Sequence, residues 1–323
     1  MKLLSSILLL HLSVFLLAQK GKPISTNVVV ADTPTIYLPF SITAKYSVRD
    51  MAISAAGDEM FYTLLAPDSY LMSIVYCKKQ GAKWKEPVMA SFSGQYSDLE
   101  PAFSPDGKKI FFASNRPLKK GDPVKDFDIW YVENRNGQLS EPVNAGAIIN
   151  TDGDEFYPAV TKSGNIYYTA AYADSKGKED IYVSEWKNGA YQKPYSLSDS
   201  VNSKTYDFNA YVSPDEDLIL FSSQGRVDDT GGGDLYISMK DKSGNWKKAV
   251  HLPAPINSTR LDYCPYLSPD KKIFYFTSNR SVIQQQYDSP LTIKQLTGLL
   301  AQPGNGKGNL YTMSGEKIMS FAY

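Results

Sequence analysis

The chain of 323 residues contains only two histidines and two cysteines, and its charges are balanced. His11 lies in an apolar N-terminal segment, which leaves His251 for the mature protein. Zinc sites built from several histidines, and Ser-His-Asp catalysis, are therefore disfavoured. Lys and Arg number 34, as do Asp and Glu, so the basic surface of a nucleic-acid-binding protein is not expected.

Several catalytic and metal-binding motifs are also missing from the sequence. It contains no G-x-S-x-G, no C-x-x-C and no S-x-D-x-G-x-x-W, and the run QPGNGKGN does not complete a P-loop. Clustered oxygens in residues 150–155 and 227–234 leave Ca²⁺ open, although neither segment has EF-hand spacing. We expect no cofactor.

Residues 1–18 have the pattern of a secretory signal peptide. Lys2 precedes an apolar run from Leu3 to Leu17, and no cysteine follows at the expected cleavage point. The run is shorter than the roughly 20 residues that span a membrane, and no later segment is apolar enough. We expect a periplasmic or secreted protein without membrane insertion or a lipid anchor. Cys77 and Cys264 could then form a disulfide or remain buried thiols.

Five segments resemble one another at intervals of about 50 residues, which is the range of propeller blades. Taking Asp50, Asp98, Asp154, Asp207 and Asp262 as markers, the segments are RDMAISAAGDEMFYT, DLEPAFSPDGKKIFFASNR, DEFYPAVTKSGNIYYTAA, DFNAYVSPDEDLILFSSQGR and DYCPYLSPDKKIFYFTSNR. In each unit a short strand meets an SPDG-like turn, and a second strand rich in aromatic and β-branched residues follows. Two further strands complete a four-stranded unit. This order predicts an all-β, five-bladed propeller.

The last unit lacks a fourth strand before the chain reaches Tyr323. We expect residues 35–46 to supply it, closing the ring and removing a sheet edge. Residues 19–323 would then form a single domain. In the last unit, residues 281–308 interrupt the blade, and the sequence after Pro290 predicts a short helix that covers part of one face.

The units resemble the WD40-like β-propeller repeat of the TolB type, D-x-x-P-x-x-SPDG-K-x-[IL]-x-F-x-S-x-R. Residues 98–116 match it nearly throughout, and residues 262–280 match it with Lys271 in place of the glycine. The resemblance implies a propeller that serves as a protein-docking platform, a peptidase accessory domain or a polysaccharide-cleaving enzyme. The fold does not choose among these functions.

The first strand begins, and the second ends, at the same end of each blade, where the long loops also lie. We expect this end, the top face, to bind a protein or a cell-envelope glycan, and we expect a monomer. The candidate ligand-binding residues are Arg49, Asp98, Glu100, Arg116, Asp154, Glu155, Asp207, Arg226, Asp262 and Arg280.

Repetition of Asp and Arg around the ring favours a structural role, because catalysis at one axis needs few and distinct groups. Ion pairs and loop caps between blades would explain the repetition. The alternative is a carbohydrate-active enzyme in which Glu100, Asp154 and Asp207 act as acid and base at the channel mouth. The sequence therefore favours a non-catalytic binding module over an enzyme.

Overall fold

The computed structural model describes residues 30–37, 45–81, 83–135 and 137–322. It confirms a five-bladed β-propeller of antiparallel sheets, with the strands of each blade following one another from the axis outwards. The predicted signal peptide lies outside the described residues, as do residues 38–44 of the predicted closing segment. No helix of the described ranges has the length and apolar character needed to cross a membrane.

The blades are numbered in chain order, and each blade is listed from its inner strand outwards. Blade 1 contains β2 (Ser47–Ile53), β3 (Glu59–Leu65), β4 (Met72–Gln80), β5 (Lys83–Trp84) and β6 (Val88–Met89). Blade 2 contains β7 (Asp98–Phe103), β8 (Lys109–Ser114), β9 (Asp128–Arg135), β10 (Gln138–Leu139) and β11 (Val143–Asn144). Blade 3 contains β12 (Glu155–Val160), β13 (Ile166–Ala170), β14 (Asp180–Ser184), the hairpin β15 (Trp186–Lys187) and β16 (Ala190–Tyr191), and β17 (Tyr195–Ser196). Blade 4 contains β18 (Tyr206–Val212), β19 (Leu218–Gln224), β20 (Asp234–Met239) and β21 (Val250–His251). Blade 5 contains β22 (Asp262–Leu267), β23 (Ile273–Ser278), β24 (Asn309–Ser314) and the N-terminal β1 (Thr35–Ile36).

The SPDG-like turns join the first and second strands of the blades. In blade 2 the Ser104 hydroxyl donates to Asp106 at 2.7 Å, and Asp106 accepts the Lys108 N–H at 3.1 Å. Gly107 adopts φ +70°, and Lys271 takes the same left-handed conformation in blade 5 at φ +58°. Side-chain capping within the turn thus allows a residue other than glycine to replace it.

Apolar side chains of the second strands fill the space between neighbouring blades. Phe112, Phe221 and Phe274 are fully buried, because both faces of a middle strand are covered by adjacent sheets. Phe221 of blade 4, for example, belongs to the same apolar cluster as Ile181 of blade 3. The core is therefore a ring of interblade layers around the axis.

The N-terminal strand closes the ring as predicted, over a short stretch. Thr35 pairs with Thr312 and Ile36 with Tyr311, and the Tyr37 N–H donates to the Leu310 carbonyl at 2.8 Å. Ile36 also packs against the core of blade 5. Blade 5 therefore combines the two ends of the described chain.

The insertion in blade 5 contains the predicted helix, α1 (Ile293–Ala301). Thr292 and Gln295 cap its N-terminus reciprocally. A second helix, α2 (Gly315–Met319), follows β24 and was not predicted. Cys77 and Cys264 are both buried and free, the former in the core of blade 1 and the latter on the propeller axis.

Removal of β1 tests the closure. A chain that begins at Ser47 should lose about 2–4 kcal/mol of unfolding free energy relative to one that begins at Val30, because backbone bonds and the burial of Ile36 disappear. Thermal unfolding would show this as a melting temperature several degrees lower. Equal melting temperatures for the two chains would contradict the closure.

Candidate functional site

Every inner strand is interrupted by a β-bulge near the middle of the propeller axis. The residue at each bulge has a left-handed backbone although none is glycine: Asp50, Glu100, Tyr157, Asn209 and Cys264, with φ between 42° and 62°. Such a conformation is uncommon for these residue types and is tolerated where surrounding contacts fix it. The bulges give each blade a different side chain on the axis.

Glu100 is the centre of a polar network formed by these bulge residues. Its carboxylate accepts the Tyr157 N–H at 2.7 Å, the Asn209 side-chain amide at 3.1 Å and the Arg49 guanidinium. The Cys264 thiol lies 3.5 Å from the Asn209 amide oxygen. Burial raises the pKa of Glu100 to about 7, although Arg49 opposes the shift.

Arg49 is enclosed by acidic and aromatic groups. Its Nε lies 3.1 Å from Asp50, and its guanidinium carbon lies 5.3 Å from the centre of the Tyr263 ring. Asp50 in turn accepts the Thr63 hydroxyl at 2.7 Å. Two carboxyl groups, Asp50 and Glu100, thus lie against this cation.

A pocket of about 290 Å³ opens above this network at the top of the channel. Six apolar and six polar residues line it: Arg49, Met72, Leu99, Glu100, Phe127, Phe156, Thr169, Glu179, Phe208, Asn209, Leu261 and Tyr263. We call it the axial mouth. Burial and the nearby Asp154 raise the pKa of Glu179. Glu100 also borders a second, mostly apolar pocket of about 120 Å³ on the other side of the network.

The repeated acids form a separate set of contacts away from the axial mouth. Asp98, Asp207 and Asp262 are fully buried, and each forms an ion pair with the arginine that follows the second strand of its own blade. The N–O distances are 2.6 Å for Arg116, 2.5 Å for Arg226 and 2.7 Å for Arg280. Each arginine also donates to a backbone carbonyl of the preceding linker: Phe92, Val201 and Ile256.

The linkers between blades hold the same acids from the other side. Ser203 donates its N–H and hydroxyl to Asp207, and Ser258 does the same for Asp262. The residue before each serine is an asparagine that binds the third strand of the preceding blade. Asn202 accepts the Ile181 N–H and donates to the Ile181 carbonyl, and Asn257 does the same with Leu235. Acid, arginine and linker therefore join successive blades.

Two of the sequence markers are out of register with this pattern. Val48 occupies the place of Asp98 in blade 1, since Asp50 is the bulge residue that corresponds to Glu100. In blade 3, Glu155 occupies this place instead of Asp154. It accepts hydrogen bonds from Thr151, just as Asp207 accepts them from Ser203 in blade 4. The expectation of an equivalent Asp in all five units was therefore wrong for blades 1 and 3, where the two degraded repeats hide the register.

The other predicted site residues are dispersed. Asp154 is exposed and accepts the Phe127 N–H at 2.8 Å, and neither it nor Asp207 lines the axial mouth. Of the predicted top-face residues, Arg49 and Glu100 line that pocket. Sequence reasoning missed Asn209, Phe127 and Glu179. A usable signal for Asn209 was its place two residues after Asp207, matching Glu100 after Asp98.

Neither loop considered for Ca²⁺ brings three acidic side chains together as a metal site. In the part of the chain that the structure describes, no group of three or more His, Cys, Asp or Glu side chains could hold a metal ion. Asp229, for example, accepts the backbone N–H groups of Gly225 and Gly231. Its oxygens stabilise its own loop.

No family model matches the chain, and no curated protein matches it. Solved structures with a similar fold include TolB from Acinetobacter baumannii (14% identity, 83% of this chain, TM-score 0.46) and hydrazine synthase from Kuenenia stuttgartiensis (11%, 84%, 0.50). The chain spans 54% of the length of the first and 40% of the second. It also resembles the catalytic domain of a GH62 α-L-arabinofuranosidase from Coprinopsis cinerea, with 10% identity over 87% of this chain and 94% of that one and a TM-score of 0.50. Identities this low establish the fold alone.

Replacement of Asp98 by alanine tests the structural role of the repeated acids. The variant leaves Arg116 buried without its carboxylate, so we expect a loss of about 3–5 kcal/mol in unfolding free energy. Asp122→Ala, in an exposed stretch of the following loop, is the matched control and should change stability by less than about 0.5 kcal/mol. Equal stabilities of the two variants in chemical denaturation would refute the assignment.

Glu155 provides a test by pH. Burial raises its pKa from 4.5 to about 7, against the lowering effect of hydrogen bonds from Thr151 and Tyr172. Between these values the folded state retains a proton that the unfolded state has lost, so stability falls as the pH rises through this window. Glu155→Gln removes this contribution.

The loss of unfolding free energy between about pH 5 and pH 8 should therefore be about 1–3 kcal/mol smaller in Glu155→Gln than in the wild type. Urea denaturation at both pH values measures it. Glu100 is present in both proteins, so its own titration cancels in the comparison. An unchanged pH dependence would show that Glu155 titrates normally.

Proposed function

We propose that the protein is an exported, non-catalytic binding module built from TolB-type repeats, and that a protein segment docks on its top face at the axial mouth. A compact apolar side chain of that segment would enter the pocket above Glu100. Export is part of the proposal and is supported by the sequence pattern of residues 1–18.

The composition of the axial mouth carries the proposal. Half of its lining residues are apolar, and most of these are large: Phe127, Phe156, Phe208, Leu99 and Leu261. Of the polar lining residues, Arg49, Glu100 and Asn209 already bind one another in the buried network. Concave, mainly apolar pockets with few polar groups are typical binding sites for side chains and small ligands. A saccharide carries hydroxyls around its whole ring, and the apolar half of this lining offers them no hydrogen-bonding side chain.

The arrangement of the carboxylates supports a role without catalysis. Asp207 is occupied by Arg226 and Ser203, and Asp154 holds the Phe127 N–H. Glu100 accepts three donors and is almost fully buried. The acid and base that hydrolysis requires are therefore not available in the set Glu100, Asp154 and Asp207.

A carbohydrate-active enzyme is the second candidate, and one observation favours it. Glu100 and Glu179 line the same pocket, and the pKa of each is raised by burial, that of Glu100 to about 7. Glycoside hydrolysis needs one carboxyl that is protonated near neutral pH, and the raised pKa makes Glu100 the candidate for that acid.

Phe208→Ala tests the binding site. Peptides selected from a random library on the purified protein should bind this variant at least about 10-fold more weakly, because an aromatic wall of the pocket is lost. Tyr195→Ala removes a half-exposed aromatic residue on the outer strand β17 and is the matched control. Selected peptides that bind both variants equally well would contradict docking at the axial mouth.

The catalytic alternative is tested with a panel of polysaccharides. We expect the wild-type protein to release no reducing sugar. Release that disappears in Glu100→Gln or Glu179→Gln, with the melting temperature retained, would establish the enzyme and overturn the proposed function. Circular dichroism supplies the control for folding.

A further inference from the structure

A groove of about 710 Å³ lies between blades 2 and 3, outside the axial channel. Residues of the SPDG turn of blade 2 form part of it, so it opens towards the end opposite the axial mouth. Its aromatic lining consists of Phe111 and Tyr131 from blade 2 and Trp186 and Tyr191 from blade 3. Three lysines, Lys108, Lys109 and Lys162, also line it.

Trp186 is the most exposed tryptophan of the protein. Its relative exposure is 42%, against 6% for Trp130 and 9% for Trp246, while Trp84 is half-buried. An indole is a large apolar surface, and its exposure in a concave site is a mark of binding rather than of packing.

The exposure follows from an exchange in the outer hairpin of blade 3. In blades 1 and 4 a lysine lies across from the tryptophan and covers its ring, Lys79 at 4.7 Å from Trp84 and Lys240 at 4.9 Å from Trp246. In blade 3, Trp186 occupies the position of that lysine and Tyr191 the position of the tryptophan. The two rings pack edge to face, with their centres 4.8 Å apart. Among the described residues, no lysine lies over the Trp186 indole.

Gly164 supports the position of the indole. A Cβ atom at this residue would lie 3.0 Å from Trp186 Cγ and Cδ1. The turn of blade 3 and the outer hairpin thus approach closely, and the absence of a side chain lets Trp186 lie against the turn.

Three lysines and one acid, Asp106, line the groove, so its charge is positive. Lys109, whose cross-strand neighbour is Glu133, forms no ion pair in the described residues. Lys108 lies 3.6 Å from Asp106, and Lys162 lies 2.8 Å from Asp215. Lys109 has no carboxylate within 4.0 Å in the described residues, and its ammonium group lies over the Tyr131 ring at 4.0 Å. Within the described ranges, Lys109 is thus a cation without an ion pair in an aromatic site.

We propose that this groove binds an acidic saccharide, with the apolar face of a sugar ring on Trp186 and a carboxylate of the glycan on Lys109. The C–H groups on one face of a pyranose pack on an aromatic ring, and the hydroxyls at its edge stay in water in an open groove. One free ammonium matches the single carboxylate of a uronic acid. The proposal concerns residues that do not line the axial mouth, so it is independent of the proposed function.

Intrinsic fluorescence of the full-length mature protein tests the proposal, because the exposed Trp186 responds to contact with a ligand. We expect oligogalacturonate to change the emission saturably, and neutral cello-oligosaccharides of equal length to bind at least about 10-fold more weakly. Trp186→Ala should abolish the response and, by calorimetry, weaken binding at least about 10-fold, whereas Trp186→Phe should keep part of the affinity.

Lys109→Gln tests the charge. It should weaken oligogalacturonate about 5–10-fold while leaving the neutral oligosaccharide unchanged. Lys79→Gln, which removes a lysine–aromatic contact of the outer hairpin of blade 1, is the control and should bind like the wild type.

Three results would overturn the proposal. The first is full affinity in a folded Trp186→Ala protein. The second is tighter binding of a nucleotide such as AMP, which also has an aromatic-stacking face and negative charge. The third is no binding of oligogalacturonate, alginate or hyaluronan oligosaccharides at about 5 mM.

Discussion

The fold depends on a buried carboxylate at the start of an inner strand. In blades 2, 4 and 5 this residue is an aspartate that forms an ion pair with an arginine of the same blade. The arginine also donates a hydrogen bond to a backbone carbonyl of the preceding linker. In blades 4 and 5 a serine of that linker donates to the same acid. A buried charge that loses its partner is strongly destabilising. These contacts therefore hold each sheet in a fixed position against the linker that precedes it.

The residues on the propeller axis, in contrast to the repeated acid–arginine pairs, differ from blade to blade. The bulge is common to all five inner strands, but its side chains are acidic, aromatic, amide and thiol. Glu100 contacts groups from three other blades through Arg49, Tyr157 and Asn209, so the network is filled and mostly inaccessible. The residue before each bulge residue carries a large side chain on the top-face side of the network. Phe156, Phe208 and Tyr263 are among these residues, and they line the axial mouth.

The sequence predicted the parts of the structure that depend on local pattern. Five blades, the SPDG turns, the closing strand and the helix after Pro290 all follow from spacing and turn chemistry. The bulges did not, because their left-handed residues are not glycines and are held by contacts from other blades. The same limit explains the misplaced markers at Asp50 and Asp154, and it explains why the interblade groove with Trp186 could not be foreseen from either blade alone.

The most direct test of this account is a double-mutant cycle between Asp98 and Arg116, measured by chemical denaturation of Asp98→Ala, Arg116→Ala and the double variant. If the pair joins the blades, the two changes should be non-additive by about 1–3 kcal/mol, because either one alone leaves a buried charge unpaired. Additivity within about 0.5 kcal/mol would mean that the pair is not coupled and that the repeated acids do not hold the ring together.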